Sequence, residues 1–343
     1  MGVFDFVKIF RVNKSISIDL GTANILIYDK QRKKIVLNEP SVVARDRKTG
    51  RLIAVGKEAR EMLGKTPDSI QAIKPLQDGV IADIDSTKEM ITYFIHKIYG
   101  NSLFKPEVMI CVPIEVTSVE RKALFDAVKG AKKTYIIEEA RAAIIGSGVD
   151  ISQPEGSMVI DIGVGSTDIA ILSLDEIIAS KSIRIAGNRF DEDIVRYVKR
   201  KYNLLIGDRT AEKIKKELGS ALKVQSPEVM EIKGRDLETG IPNTVEVNAN
   251  EIYEAIEDSL FQIVNSTKEV LEKCPPELAA DILDNGIVMT GGGSLIRNFI
   301  DMMEKEVGIK VFLSPNPLDS VVLGGGAAFD NKKLLRTLQM KEN

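Results

Sequence analysis

Two short stretches of this chain set an acid, small residues and hydroxyls where they could hold a phosphorylated ligand. In VIDIGVGSTDIAILS, residues 159–173, a β-branched run ends at Asp161 and Ile162, and Gly163, Val164, Gly165 and Ser166 then turn the chain into a second apolar run. Glycine lacks a Cβ, so backbone N–H groups in such a turn can close on a phosphate. A carboxylate at the strand end suits a hydrated Mg2+, which keeps several of its waters. Ser166 and Thr167 add hydroxyls beside it. Near the N-terminus, residues 16–28 read ISIDLGTANILIY and repeat the arrangement, with Asp19 at the strand end and Gly21, Thr22, Ala23 and Asn24 in the turn. A lone hairpin of this kind is as readily an ordinary turn with a polar tip. Two of them, with the acid in the same place, suggest a duplicated fold with a nucleotide held between the halves. A third cluster, Gly291, Gly292, Gly293 and Ser294, follows a strand and is expected to open a helix. There a backbone can approach a ribose or an α-phosphate at the helix N-terminus.

The elements that position these turns belong to an ordinary globular chain of 343 residues, 44% hydrophobic and 28% charged, long enough for more than one subdomain. A net charge of −3 gives no reason to expect a nucleic-acid partner. Cys111 and Cys274 are too few for a disulfide framework and fit a reducing compartment. The sole histidine, His96, lies in an apolar helical stretch and is expected to be structural, which excludes a histidine-based triad or zinc site by inventory. No Walker P-loop or GxGxxG fingerprint is present, no apolar run is long enough to span a bilayer, and no signal peptide is visible.

Taken in order, residues 1–10 read MGVFDFVKIF. On a helix, Asp5 and Lys8 occupy one narrow face and apolar residues fill the rest. Such a segment either anchors at a membrane interface or docks on its own domain or a neighbouring subunit. Gly2 suggests myristoylation, but Phe6 stands where that motif wants Ser or Thr. Residues 35–44 and 52–55 read as strands around the charged turn 45–51, followed by a helix from 57 to 63. Residues 85–98 read as a helix and 105–112 as a strand, with Leu103 and Phe104 at the end of a polar loop between them. The next helix, 118–130, takes Ser118 as its N-cap and Glu120 in its first turn. A strand at 135–137 leads into a helix opened by Glu138 and Glu139. Further on, the pattern predicts helices over 191–202 and 210–218, two strands within 231–247, and a long helix over 251–274 ended by Pro275 and Pro276. Glu212 and Lys215, three residues apart, read as a solvated ion pair. Gly324–Gly326 reads as part of the last turn, before a final helix and a basic tail.

The two hairpins and the glycine cluster, in this order, resemble the actin and sugar-kinase ATPase superfamily, which includes the heat-shock chaperones. The detail resembles the MreB bacterial actins: IDLGTAN, VPIEVTSVERKAL, IIEEARAAIIGSG, TAEKIKKELGSA and MTGGGSLI are similar to that family's segments, over essentially the whole chain. The resemblance implies an α/β, actin-like duplicated ATPase fold of two lobes, each with a large αβ core and a small subdomain. It implies residues 1–12 as an amphipathic membrane-binding segment, 13–34 and 73–145 as subdomain IA, and 35–72 as IB. It further implies 146–184 and 251–330 as IIA, 185–250 as IIB, and 331–343 as a C-terminal helix and tail. ATP would be the nucleotide, with Asp19 and Asp161 holding Mg2+ through water. Gly21, Thr22, Ala23, Asn24, Gly163, Val164, Gly165 and Ser166 would line the phosphates. Glu212, Lys215 and Lys216 would flank the adenosine, and Gly291, Gly292, Gly293 and Ser294 would approach it from the third turn. Gly187 matches a turn that helps enclose the nucleotide.

By the same resemblance Glu139 orients or activates the attacking water and Thr167 shares that water. The chain departs from the family at Ala140, where proline is usual, and at Arg141, where an apolar residue is common. Val164 and Ser166 replace the usual Gly and Thr. Loss of a proline at the first helical position loosens the turn that aims Glu139, and Val164 crowds the phosphate loop, so hydrolysis is expected to be slow. Phe4, Phe6, Val7 and Phe10, with Leu103 and Phe104, are the expected membrane contacts. The family implies a homopolymer of paired protofilaments on the inner face of the cytoplasmic membrane, working with cell-shape or wall-synthesis proteins and not with nucleic acid. A small-molecule kinase on the same fold is the alternative, although no acceptor-specific motif is visible. A chaperone ATPase would carry a peptide-binding domain after the nucleotide domain.

Overall fold

A computed structural model describes residues 14–77, 79–100 and 105–340. The chain divides into two compact units, one of Met1–Gly146 with Val321–Asn343 and one of Ser147–Ser320. Phe4, Phe6, Val7, Phe10, Leu103 and Phe104 lie outside the described residues.

In the first unit, β1 (Ser15–Leu20), β2 (Asn24–Asp29), β3 (Lys34–Pro40), β9 (Glu107–Val112) and β10 (Lys133–Glu138) form a five-stranded sheet in the order β10-β9-β1-β2-β3. The strands β10, β9 and β1 run parallel, whereas β1, β2 and β3 meander antiparallel. Near-continuous apolar runs suit the parallel members, which helices cover on both faces. Ile16, Ile18, Ile25, Ile27, Val108 and Ile110 are fully buried. A smaller sheet, β5-β4-β6, is built from β4 (Val43–Asp46), β5 (Leu52–Val55) and β6 (Ile70–Ile73), and with α1 (Lys57–Met62) it encloses Val42, Ala44, Ala54 and Ala59. The expected single strand over 35–44 is therefore two, because the chain breaks at Ser41 and Val42, where the Ser41 N–H donates to the Ala23 carbonyl.

The helices α2 (Ile84–Tyr99), α3 (Ser118–Ala127) and α4 (Glu139–Gly146) follow. Thr117, not Ser118, caps α3: Thr117 accepts from the Glu120 N–H while the Glu120 carboxylate accepts from the Thr117 N–H. The spacing Thr-x-x-Glu makes that reciprocal pair, which a cap at Ser118 could not. The buried face of α2 is Thr87, Met90, Ile91 and Phe94. That leaves His96 exposed beside Lys97, although its neighbours along the helix are apolar.

Gly324, Gly325 and Gly326 lie within a helix, α10 (Ser320–Ala327), rather than a turn. Each interior glycine costs about 1 kcal/mol of helix propensity relative to alanine. Close approach explains them: a Cβ at Gly324 would stand 1.7 Å from the Ala142 carbonyl oxygen, one at Gly325 2.2 Å from Ser17 Oγ, and one at Gly326 2.5 Å from the Tyr28 ring. The helix thus lies directly on α4 and the sheet. The last helix of this unit is α11 (Lys332–Leu338).

The second unit repeats the plan. Its sheet has the order β13-β12-β11-β17-β18, formed by β11 (Ser157–Ile162), β12 (Thr167–Ser173), β13 (Glu176–Ile183), β17 (Ile287–Thr290) and β18 (Val311–Leu313). Again three strands meander antiparallel (β11, β12, β13) and three run parallel (β11, β17, β18). Ile160, Ile162, Ile169, Ile171 and Met289 face a core shared with Phe190, Ile194, Ile256 and Leu260. Those last four come from α5 (Gly187–Tyr202) and α7 (Ala249–Glu272). A small sheet in the order β14-β15-β16 is built from β14 (Leu204–Leu205), β15 (Val229–Asp236) and β16 (Pro242–Asn248).

Three boundaries depart from the sequence reading. Helix α5 starts at Gly187, four residues before Asp191. Helix α6 (Asp208–Leu218) starts at Asp208 after Gly207 with no side-chain cap, so Thr210 is inside it. Pro276, expected only to end α7, also starts α8 (Pro276–Asn285), since the first helical position needs no N–H donor.

Candidate functional site

The two hairpins match residue for residue. In the first, Leu20 pairs with Ile25 and Asp19 with Leu26; in the second, Ile162 pairs with Thr167 and Asp161 with Asp168. Each acid therefore sits two residues before a four-residue turn, Gly21–Asn24 or Gly163–Ser166, so the equivalence read from the sequence holds in the register. The turn glycines are equivalent too. A Cβ at Gly21 would lie 2.7 Å from the Asn24 carbonyl oxygen, and one at Gly163 3.2 Å from that of Ser166.

Different neighbours hold the tips. In the first unit, Ser41 Oγ donates to the Gly21 carbonyl (2.7 Å), and the Gly79 N–H donates to Thr22 Oγ1 (3.3 Å). In the second, the first N–H groups of α5 do this work: Gly187 donates to the Gly163 carbonyl (3.2 Å) and Asn188 to that of Val164 (2.8 Å). Those N–H groups are spent on the hairpin, so this helix end braces the turn instead of receiving an anion. Thr167 is fully buried and its hydroxyl donates to the Ile185 carbonyl at 2.6 Å. Toward a water it could act only as an acceptor.

Lys215 locks the same corner. Its ammonium donates to the Gly187 carbonyl (2.8 Å) and pairs with Asp191 (2.9 Å). Burial pushes the Asp191 carboxyl up, and Lys215 opposes that rise. The expected Glu212–Lys215 pair does not form; Glu212 pairs with Lys216 at 2.6 Å, one turn along the exposed side of α6. Lys215 turns inward because Asp191 offers a carboxylate on the neighbouring helix, and a buried ammonium needs one.

The third turn packs on the second hairpin. Asp161 aligns with Thr290 across the parallel pair β11–β17. Gly291, at φ 80°, leaves room that a side chain would close: its Cβ would stand 2.3 Å from the Ile162 carbonyl oxygen and 2.5 Å from Asp161 Oδ1. Gly293 lies as close, 2.2 Å from an Ile162 methyl. The segment Gly292–Leu295 is one short 3-10 turn, not the start of a long helix. Ser294 is 3% exposed and its hydroxyl donates to the Gly291 carbonyl, whereas Gly292 is open to solvent. Beneath the turn, Thr290, Ser320 and Ser314 form a hydroxyl chain with links of 2.9 and 2.6 Å.

In the first unit, Asp19 aligns with Cys111 of β9, which aligns with Ile137 of β10, and Glu139 begins α4 two residues beyond. Asp19 and half-buried Glu139 therefore share the carboxyl end of one sheet, where open α/β folds bind ligands. Arg141, 5% exposed, pairs with Glu138 at 3.2 Å, and Arg121 approaches the same carboxylate at 3.6 Å. This ion pair spans the strand-to-helix junction and ties down the turn that lacks a proline.

One acid escaped the sequence reading. Asp168, 2% exposed, stands directly opposite Asp161 across the hairpin. Counting outward from the turn closed by Gly163 N–H and the Ser166 carbonyl would have found it. Like charges directly opposite on a sheet repel, and a divalent cation relieves such a pair, so the second hairpin fits a hard cation with oxygen ligands. No group of three or more metal-ligating side chains occurs among the described residues. A Mg2+ that keeps its waters and takes phosphate oxygens needs only one or two carboxylates. No helix among the described residues is long and apolar enough to cross a membrane.

The profile of the MreB/Mbl protein family matches residues 13–337. The chain is 48% identical over 321 residues to the cell shape-determining protein Mbl of Bacillus subtilis (strain 168), covering 93% of this chain and 96% of that one. It is 47% identical over 326 residues to the cell shape-determining protein MreB of Escherichia coli (strain K12), covering 93% and 94%. Among solved structures, MreB5 of Spiroplasma citri bound to ADP superposes with a TM-score of 0.87 at 39% identity, over 94% of this chain and 98% of that one. The fold is actin-like, and by its whole-length match and its paired hairpins this chain belongs to the MreB/Mbl protein family.

Proposed function

We propose that this chain is an actin-like cytoskeletal ATPase that binds ATP with Mg2+, hydrolyses it slowly and polymerises into membrane-associated filaments that organise cell shape. The observation that carries this reading is the pair of matched hairpins, each with its acid two residues before a four-residue glycine turn. Family membership supports it, as does the ADP bound to the Spiroplasma citri relative, and both favour it over a small-molecule kinase.

Under this proposal Asp19 and Asp161, with Asp168 beside the latter, would hold the hydrated Mg2+, whose charge offsets that of the phosphates. Gly21, Thr22, Ala23 and Asn24, and Gly163, Val164, Gly165 and Ser166, present backbone and hydroxyl donors to phosphate oxygens. Glu139 orients the attacking water and draws its proton, while Thr167 offers that water a lone pair, its own hydrogen being given to Ile185. Gly291, Gly292 and Gly293 admit the nucleotide at close range, with Ser294 supporting the turn from beneath. Glu212 and Lys216 face the nucleoside from α6, while Lys215 acts one step back, fixing the corner that braces the second hairpin.

The subdomain limits 13–34 and 73–145 (IA), 35–72 (IB), 146–184 and 251–330 (IIA) and 185–250 (IIB) belong to this proposal. So do a location on the inner face of the cytoplasmic membrane, contact there through Phe4, Phe6, Val7, Phe10, Leu103 and Phe104, paired protofilaments, and cell-shape or wall-synthesis partners. The test is a titration of ATP with and without Mg2+. Affinity that depends on the metal and falls more than about tenfold in Asp161→Ala is expected; metal-independent binding would refute the site.

A further inference from the structure

In the first unit a strand runs straight into a helix: β10 ends at Glu138 and α4 begins at Glu139, with no residue between them. The backbone must pass from extended to helical angles within a residue or two, so whatever fixes Glu138 also sets the direction in which Glu139 leaves the sheet. Alanine at 140 adds little restraint, since only proline locks φ near −65°. The rest of α4 is apolar: Ala140, Ala142, Ala143 and Ile144 are fully buried, and Arg141 is the one charged residue between Ala140 and Gly146. A cation on a helix buried on all sides needs a carboxylate partner.

That partner is Glu138, and it is held from two helices. Arg141 Nε, on α4, lies 3.2 Å from Glu138 Oε2, while Arg121 Nη2, on α3, lies 3.6 Å from Oε1. Arg121 is itself well placed, because it directly follows the Thr117–Glu120 capping pair and its N–H donates to the Thr117 carbonyl at 2.9 Å. The backbone of Glu138 is set by its pairing with Val112 of β9. Sheet, α3 and α4 thus meet on one carboxylate. Farther along, α10 fixes the body of α4: a Cβ at Gly324 would stand 1.7 Å from the Ala142 carbonyl oxygen and 2.7 Å from the Gly146 nitrogen. Two adjacent acids therefore have separate parts. Glu138 is engaged by guanidinium groups within the unit, and half-buried Glu139 starts the helix beside it with its neighbour's charge compensated.

We infer that Arg141 is a positioning residue for ATP hydrolysis: through its ion pair with Glu138 it fixes the strand-to-helix junction and so aims the Glu139 carboxylate. The inference rests on the role proposed above for Glu139 and adds the residue that holds it in place. A displacement of about 1 Å in such a group can lower a rate by about 10²-fold without weakening substrate binding. The experiment measures steady-state phosphate release, Mg-ATP affinity and thermal midpoint for the full chain and four variants: Arg141→Met, Arg141→Lys, Glu138→Gln and Glu138→Gln/Arg141→Met. Arg141→Met should lower kcat at least about tenfold and leave Mg-ATP affinity within about twofold of wild type. Arg141→Lys keeps the charge but not the planar fork, and should fall between. Each single neutral variant strands one charge of the pair and should melt lower, whereas the double variant removes both charges and should regain much of that stability. Its kcat should nevertheless stay as low as that of Arg141→Met, because the tie across the junction is still missing. The double variant also serves where Arg141→Met fails to fold. A wild-type kcat in Arg141→Met, or a kcat that recovers with the thermal midpoint in the double variant, overturns the inference and makes the pair structural only. Glu139→Ala, measured alongside, separates the two claims: if it hydrolyses ATP at the wild-type rate, the role of Glu139 and the inference fall together, whereas a slow Glu139→Ala beside an unimpaired Arg141→Met overturns the inference alone.

Discussion

Replacing Asp161 by asparagine should separate stability from function. The side chain is 6% exposed and faces Asp168, 2% exposed, across the hairpin. Like charges directly opposite on neighbouring strands cost roughly 0.2–1 kcal/mol, and asparagine removes one charge while keeping the shape. The ligand-free variant should therefore melt at or slightly above the wild-type temperature, with a rise of up to about 2–4 °C for a unit of this size. Ligand binding should respond in the opposite direction. At a nucleotide concentration of 100 Kd, wild type gains about 2.7 kcal/mol of stability. A tenfold loss of affinity leaves about 1.4 kcal/mol of that gain. Scanning fluorimetry with and without Mg-ATP reads both quantities in one plate, and a titration in EDTA isolates the metal-dependent part. A variant that melts several degrees lower without ligand, yet keeps the full ligand-induced shift, would show that Asp161 is a structural acid and would refute the metal role.

Glu139→Ala should remove most phosphate release, by about 10²–10⁴-fold, while leaving ATP binding intact; a wild-type rate would assign the water to another residue. Gly325→Ala should destabilise by about 1–3 kcal/mol in a denaturant titration, since its Cβ would meet Ser17 Oγ at 2.2 Å and Cys111 Sγ at 2.9 Å. A gain in stability, the ordinary result of Gly→Ala within a helix, would show that α10 does not lie that close. Glu251→Gln should lose about 1.5–3 kcal/mol at neutral pH. Burial works against the Glu251 charge, but donation from Lys201, Tyr202 and the Asn248 N–H outweighs it and holds the carboxyl below its ordinary 4.5. Because the folded value is lowered, this contribution is present above the unfolded value and is lost as pH falls through the folded one. The gap between wild type and variant should close in acid, and a pH-independent gap would count against an ionic role.

Repetition and local rules made part of this molecule legible in its sequence. The two hairpins stand out because an acid, four turn residues and flanking apolar runs recur with the same spacing, and the duplicated sheet order arises from them. Long-range partners are not legible in this way. Lys215 looks like one half of a helix-surface pair until α5 brings Asp191 to it, and Arg141 looks like a misplaced cation until Glu138 and the strand-to-helix turn are seen together. Gly324–Gly326 has the composition of a turn, and only contact with Ala142, Ser17 and Tyr28 explains a helix there. His96 lies among several apolar residues, yet the helix phase turns it outward. Asp168 is hidden for a simpler reason: its partner lies across a turn, and the pairing depends on where that turn closes.

Nucleotide state governs assembly under the proposed function, and sedimentation of the purified chain tests this most directly. The chain would be spun at high speed after incubation with Mg-ATP, with Mg-ADP, and with neither. Polymer is expected in the pellet with Mg-ATP and should diminish when nucleotide is omitted. A pellet fraction that is the same in all three conditions, or no pellet at any protein concentration, would contradict it.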